Sequence, residues 1–244
     1  METWFENFKA TFRLNFIDDN RYMYLVNGFI NTLIITFFAA LFGIVLGIIV
    51  ATIRSTFDKN EESLRMRNKG LYTVVKIING ICKIYLTVIR GTPVVVQLMI
   101  MYFIIMASST NSVLIAILAF GINSGAYVAE IFRGGIMSID NGQFEAGRSL
   151  GFSYVRTMYY IVVPQVIKNV LPSLLNECIA LLKETSVAGY VSIQDLTKGG
   201  DIIRGRTYSA FMPLIAVALI YLVVVIVLTW IVGKVERRLK VSER

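Results

Sequence analysis

Glu130, Glu177, Lys183 and Glu184 are among the ionisable side chains that stand within long apolar stretches of this sequence. A charge at the centre of a bilayer costs about 2.5–3.5 kcal/mol on insertion scales, so such groups turn toward protein or water. Stepping about 100° per residue places Asn169, Ser173, Asn176, Glu177, Ala180, Lys183 and Glu184 within roughly 120° of one helix. Val170, Leu171, Leu174, Leu175, Cys178, Ile179, Leu181 and Leu182 cover the remainder. Upstream, Asn123, Tyr127, Glu130 and Gly134 recur at i, i+4, i+7 and i+11 and share a second face. Seven aligned positions favour the lining of a polar pathway over an internal Lys183–Glu184 or Lys183–Glu177 pair.

Catalysis fits these residues less well. The sequence has no histidine, which excludes imidazole catalysis and His-ligated metal sites. Cys82 and Cys178 lie far apart in or near apolar segments, so each reads as a buried free thiol. No nucleophile–base constellation stands out, and nothing matches GxxxxGK[ST], whose backbone amides cradle phosphates. The expectation is a non-enzymatic chain with no metal or cofactor bound directly. ATP, if it is the energy source, must be hydrolysed on another chain.

The surrounding chain is a membrane protein. Of 244 residues 56% are hydrophobic, and mean hydropathy is +0.66. Runs near 20 residues can cross a bilayer's hydrocarbon core. They fall at about residues 24–53, 85–106, 113–134, 164–188 and 209–232. The net charge of +8 clusters in loops beside these runs, which fits topology rather than nucleic acid. Residues 1–23 carry Trp4, Phe5, Phe8, Phe12 and Phe16 near helical spacing, an amphipathic segment for the membrane interface. Residues 24–235 form the membrane domain and 236–244 a basic tail. Gly43 and Gly47 make a GxxxG spacing, for which coincidence is the simpler reading. Residues 189–208 read as a polar loop with turns at Gly199, Gly200 and Gly205. Lys and Arg number seven in 54–83, four in 133–168 and five from 234 onward, against three each in the N-terminus and 189–208. Positive residues remain inside, which places the N-terminus outside and the C-terminus in the cytoplasm.

One polar stretch, residues 140–172, interrupts the apolar runs. Gly142 precedes a helical run over 143–150, and Gly151 suits the left-handed position that ends a helix. A second run, 152–163, is expected to stop near Pro164. The result is a two-helix corner on the water side.

That corner resembles the EAA loop of ATP-binding cassette importer permeases: Glu145-Ala146-Gly147, three residues, Gly151, nine residues, then Ile161-Val162-Val163-Pro164. Gly147 replaces the usual second Ala and Val163 the usual Leu. Gly147 should weaken its helix by roughly 1 kcal/mol relative to Ala. Three further strings resemble the permeases that import polar amino acids. They are Arg90-Gly91-Thr92-Pro93 with Gln97, the run NSGAYVAEIFRGG from Asn123, and LLKETS at 181–186. The resemblance spans about residues 24–235.

It implies an all-α membrane protein with the type I importer permease fold, five transmembrane helices and a cytoplasmic coupling loop. Glu145, Ala146, Gly147, Leu150, Gly151 and Pro164 would dock a separate ATPase that carries ATP and Mg. Arg90, Gly91, Thr92, Pro93 and Gln97 would form a gate or helix-start motif. Asn123, Tyr127, Glu130, Asn169, Ser173, Asn176, Glu177, Lys183 and Glu184 would line the substrate pathway. The implied partners are ATPase subunits, a second permease copy (a homodimer rather than a heterodimer), an extracellular or periplasmic amino-acid-binding protein and the lipid of a bacterial inner membrane. Three carboxylates against Lys183 favour a cationic amino acid, although Arg90 or Arg133 could neutralise one of them. The alternative is an ion-coupled secondary transporter with those charges as coupling groups. Such folds usually show repeated halves, and none is visible here.

Overall fold

The structure, a computed structural model, describes residues 2–241; Met1 of the N-terminal segment and residues 242–244 of the basic tail lie outside the described residues. Among the described residues every regular element is helical. In chain order these are α1 (Glu2–Phe12), α2 (Tyr22–Arg67), α3 (Lys69–Gly91), α4 (Val94–Ile100), α5 (Ser112–Met137), α6 (Asn141–Ser149), α7 (Tyr154–Thr157), α8 (Val163–Glu184), α9 (Leu196–Thr207) and α10 (Phe211–Val241). Wide π-turns follow α1, α4 and α7, and a 3₁₀ segment, Thr185–Val191, follows α8. Five helical runs among the described residues are long and apolar enough to cross a membrane: Tyr22–Lys59, Lys69–Gly91, Ser112–Met137, Tyr154–Val191 and Phe211–Leu239.

Four local departures from the sequence reading have physical causes. The first span does not end near residue 53: α2 continues for 46 residues, or about 69 Å at 1.5 Å per residue. No Gly or Pro interrupts it after Gly47, and it stops where Asn68 turns extended and caps α3 through the Gly70 and Leu71 amides. The run expected over 85–106 is broken at Thr92, whose φ of −123° and ψ of 148° are the extended angles that a following proline favours. Pro164 does not end its helix. The π-turn Met158–Val162 lies directly before α8, and its wider coil accommodates the proline's missing donor and ring.

The fourth departure is α9, which occupies much of the expected polar loop. It belongs to a compact unit of residues 1–39, 94–120 and 179–231. Gly199 and Gly200 do not turn the chain; both are buried inside this helix. A Cβ on Gly199 would overlap the Tyr24 carbonyl, and one on Gly200 would sit 2.5 Å from Val217 Cγ2. Close packing of α9 on α2 and α10 therefore overrides the weak helix propensity of glycine. Leu25, Leu196, Ile203 and Val217 close the core of this unit. Buried Asn15 stitches its ends: Nδ2 donates to Ser209 Oγ at 3.2 Å, and Oδ1 accepts from Thr207 at 2.8 Å. The N-terminal segment is helical, in keeping with its aromatic spacing, with Trp4 stacked on Phe8 at 5.8 Å and both exposed.

Among the described residues the second unit comprises 40–93, 121–178 and 232–241. Here the GxxxG spacing proves to be a helix contact rather than a coincidence. A Cβ on Gly43 would lie 3.1 Å from the Gly125 amide nitrogen, and one on Gly47 would lie 2.5 Å from Val128 Cγ1. Beside that contact Val50, Cys82, Leu86, Ala126 and Ala129 form a core. The Tyr85 hydroxyl donates to the Ile122 carbonyl at 2.6 Å. Cys82 and Cys178 are free thiols, the first buried and the second half-buried.

Candidate functional site

The corner begins with a cap. The Asp140 carboxylate accepts from the Gly142 amide and starts α6 two residues before the run expected at 143. At the other end the Gly151 amide donates to the Arg148 carbonyl and the Phe152 amide to the Gly147 carbonyl, each at 2.9 Å. This pair of bonds is a Schellman closure, and Gly151 takes the left-handed φ of +75° that it needs. Ser153 then caps α7 by accepting from the Arg156 amide. The turn is thus fixed by three local signals: Asp, Gly and Ser.

Side chains hold the corner to its unit. Phe144 is buried among Ile136, Ile139, Val162, Val166 and Val170. It stacks on Tyr154 at 6.2 Å, while Lys59 Nζ of α2 lies 3.8 Å from its ring centroid. Gly147 faces Thr157, and a Cβ there would meet Oγ1 at 2.5 Å and Cγ2 at 2.6 Å. The departure from the usual Ala therefore has a packing reason. Glu145, Ala146 and Leu150 point outward, Leu150 with 70% of its surface exposed. A cleft of about 610 Å³ lies beside them, walled by Lys59, Asn141, Phe144, Arg148 and Thr157.

The polar arc of α8 is more open than its apolar face. Asn169, Ser173, Asn176 and Lys183 are exposed, and Glu177 and Glu184 are half-buried. Val166, Val170, Ile179, Leu181 and Leu182 are buried. The helix thus leaves most of its polar arc uncovered and buries its apolar face only in part, with Leu171, Leu174, Leu175 and Cys178 half-buried. Glu177 is anchored, its Oε1 accepting from Ser124 of α5 at 2.9 Å. On α5, Asn123 is buried, while Tyr127 keeps 36% exposure with the Arg90 guanidinium 5.8 Å from its ring centroid.

Glu130 has a different environment from the one its helix face implies. Arg54 and Arg90 lie 3.7 and 3.8 Å from its Oε1, and Arg133 lies 3.1 Å from its Oε2. Three guanidinium groups surround one carboxylate, so Glu130 does not present a free negative charge. Only the Arg133 pair, at i+3, is readable from spacing. Arg90, with Arg133 an expected neutraliser of a carboxylate, comes from α3; Arg54 comes from α2, and no sequence signal joins it to Glu130. In the Arg90–Pro93 stretch, Thr92 Oγ1 donates to the Val88 carbonyl at 2.8 Å, closing α3 just before Pro93. Gln97 lies half-buried on α4, in the other unit.

The family described as binding-protein-dependent transport system inner membrane component matches residues 70–241. The arginine transport system permease protein ArtQ of Bacillus subtilis is 37% identical over 185 residues, covering 70% of this chain and 84% of that protein. The glutamine transport system permease protein GlnP of Escherichia coli K12 is 38% identical over 170 residues, covering 68% of this chain and 77% of that protein. Among solved structures, a chain of an amino acid ABC transporter determined with histidines superposes with a TM-score of 0.77 at 36% identity. The match covers 91% of this chain and 98% of that one.

Proposed function

Since this chain belongs to the inner-membrane components of binding-protein-dependent transport systems, we propose that it forms the translocation pathway of an ATP-driven importer of polar amino acids. Its ATPase is a separate chain that binds ATP and Mg and docks on the α6–α7 corner. A second permease copy covers the polar arc of α8, and an external binding protein delivers the substrate. The reading places the N-terminus and the α1 aromatics at the outer interface and the corner and C-terminus in the cytoplasm.

The exposed polar arc of α8 carries this proposal. In a bilayer Asn169, Ser173, Asn176 and Lys183 need a polar neighbour, and a path between two copies of the chain supplies one. Coupling follows from continuity: the helical run from Tyr154 to Glu184 joins the corner directly to the arc. Closure of an ATPase pair would push the exposed Glu145–Leu150 surface and tilt that run. The pathway would convert from outward-facing to inward-facing, a bias between two states rather than a chemical step. The family is one of binding-protein-dependent systems, which sets the ion-coupled alternative aside.

Charge refines the substrate class. With Glu130 held by three arginines, Glu177 and Glu184 against Lys183 leave a surplus of one negative charge rather than two. A neutral polar or cationic amino acid suits that balance better than an acidic one. The test is cysteine accessibility in the assembled transporter, with Cys82 and Cys178 replaced. Single cysteines at Asn169, Ser173 and Asn176 react with water-soluble thiol reagents, and cysteines at Val166 and Val170 do not. Equal labelling of the two sets rejects the pathway.

A further inference from the structure

A second polar feature lies apart from the α8 arc. A cleft of about 500 Å³ opens between α2, α3 and α5, walled by Arg54, Lys83, Thr87, Arg90 and Glu130, with Arg133 on the far oxygen of Glu130. Three cations wall the cleft beside one carboxylate, and with Arg133 behind that carboxylate the cluster carries three net positive charges. The Nε atoms of Arg54 and Arg133 are buried without a hydrogen-bond partner. Arg54 and Arg90 stand at 3.7 and 3.8 Å from Glu130, within ion-pair range and beyond hydrogen-bond length. Among the described residues no carboxylate lies within 4.0 Å of Lys83. One planar carboxylate cannot satisfy donors that converge from three helices.

We propose that this cleft binds a phosphate group, as the headgroup of an anionic lipid or as a free phosphate. Guanidinium groups match phosphate oxygens with directed, charge-assisted hydrogen bonds. A tetrahedral anion offers acceptors in several directions at once, which suits donors on separate helices. Lys83 serves as a point charge at the mouth and Thr87 adds a hydroxyl to the wall. Basic pockets between membrane helices are a known form of phospholipid headgroup site. Glu130 orients the arginines and limits their mutual repulsion while the site is empty. The bound anion ties α2 to α3 and thereby favours one packing of those two helices. This inference goes beyond the importer reading and does not depend on it, because it concerns binding to the isolated chain.

The experiment uses the purified full-length chain, freed of lipid in a neutral detergent, with native mass spectrometry as the readout. One arm adds phosphatidylglycerol, another inorganic phosphate, and acetate serves as the carboxylate competitor. Lys83 is exposed, so its substitution leaves the core intact. Lys83→Glu should weaken the phosphate adduct about tenfold or more, Lys83→Gln less, and Lys83→Arg should retain it. Binding of the lipid without displacement by phosphate assigns a headgroup site; binding of phosphate alone assigns a free phosphate. No adduct in either arm, equal binding by wild type and Lys83→Glu, or acetate competing as well as phosphate overturns the proposal.

Discussion

Replacing Gly147 by Ala separates two opposing effects at the corner. On an isolated helix the change stabilises by about 1 kcal/mol, because Ala is the better helix former. In the folded chain the new Cβ would lie 2.5 Å from Thr157 Oγ1, 2.6 Å from Cγ2 and 3.1 Å from Cβ. Thr157 is buried at 1% exposure, so it has little room to retreat. Overpacking of this kind costs about 1–3 kcal/mol. The packing cost exceeds the propensity gain, and Gly147→Ala should destabilise by about 1 kcal/mol. Thr157→Ala removes both close atoms and leaves only the 3.1 Å contact, at a cost of about 1 kcal/mol for the lost methyl. Combined, the two changes fit each other, and the double variant should return close to wild type. The coupling in a double-mutant cycle is then about 2 kcal/mol. Denaturant titration of the purified chain gives the stabilities, and ATPase turnover in the reconstituted complex should follow the same order. If Gly147→Ala alone stabilises by about 1 kcal/mol, or the pair is additive, the packing account of the corner is wrong.

The Schellman closure predicts a clean contrast at Gly151. Nothing lies within 4 Å of a Cβ there, so only the φ of +75° penalises a side chain. Gly151→Val should lose about 1–2 kcal/mol or more and uncouple ligand-stimulated ATPase turnover, while Gly151→Asn, which tolerates left-handed angles, should stay near wild type. Equal effects of the two would reject the turn. Asp195 predicts a pH dependence. It is fully buried, caps α9 through the Thr197 and Lys198 amides, and burial raises its carboxyl above the ordinary value of 3.8 against the pull of those bonds. The folded chain therefore holds a proton that the unfolded chain releases. That stabilisation is complete below 3.8 and is lost as pH rises through the folded value. Melting temperatures of wild type minus Asp195→Asn should decline over that window, and a flat difference would contradict the burial argument.

The parts of this molecule that read directly from sequence are those specified by neighbouring residues. The corner was visible because Gly151 and the polar run around it act within a few positions. The face of α8 was visible because 3.6-residue periodicity sorts it without reference to any partner. Other features depend on packing at a distance. Gly199 and Gly200 look like turn residues until the Tyr24 carbonyl and Val217 press against them. Gly43 and Gly47 become a contact only once α5 lies alongside. Pro164 reads as a stop because the π-turn that accommodates it has no sequence mark. The arginines around Glu130 come from three helices, so a count of charges along the faces of α5 and α8 overstated the negative charge available to a substrate, as neutralisation by Arg90 or Arg133 allowed.

On the proposed function, this chain moves an amino acid at the expense of ATP hydrolysed by a partner. Labelled arginine or glutamine uptake into vesicles holding this chain, its ATPase and its binding protein tests it directly. Uptake should require ATP with Mg on the side of the α6–α7 corner, survive ionophores that collapse proton and sodium gradients, and fall with Gly151→Val. Uptake driven by an ion gradient without ATP, and abolished by the ionophores, would contradict the account.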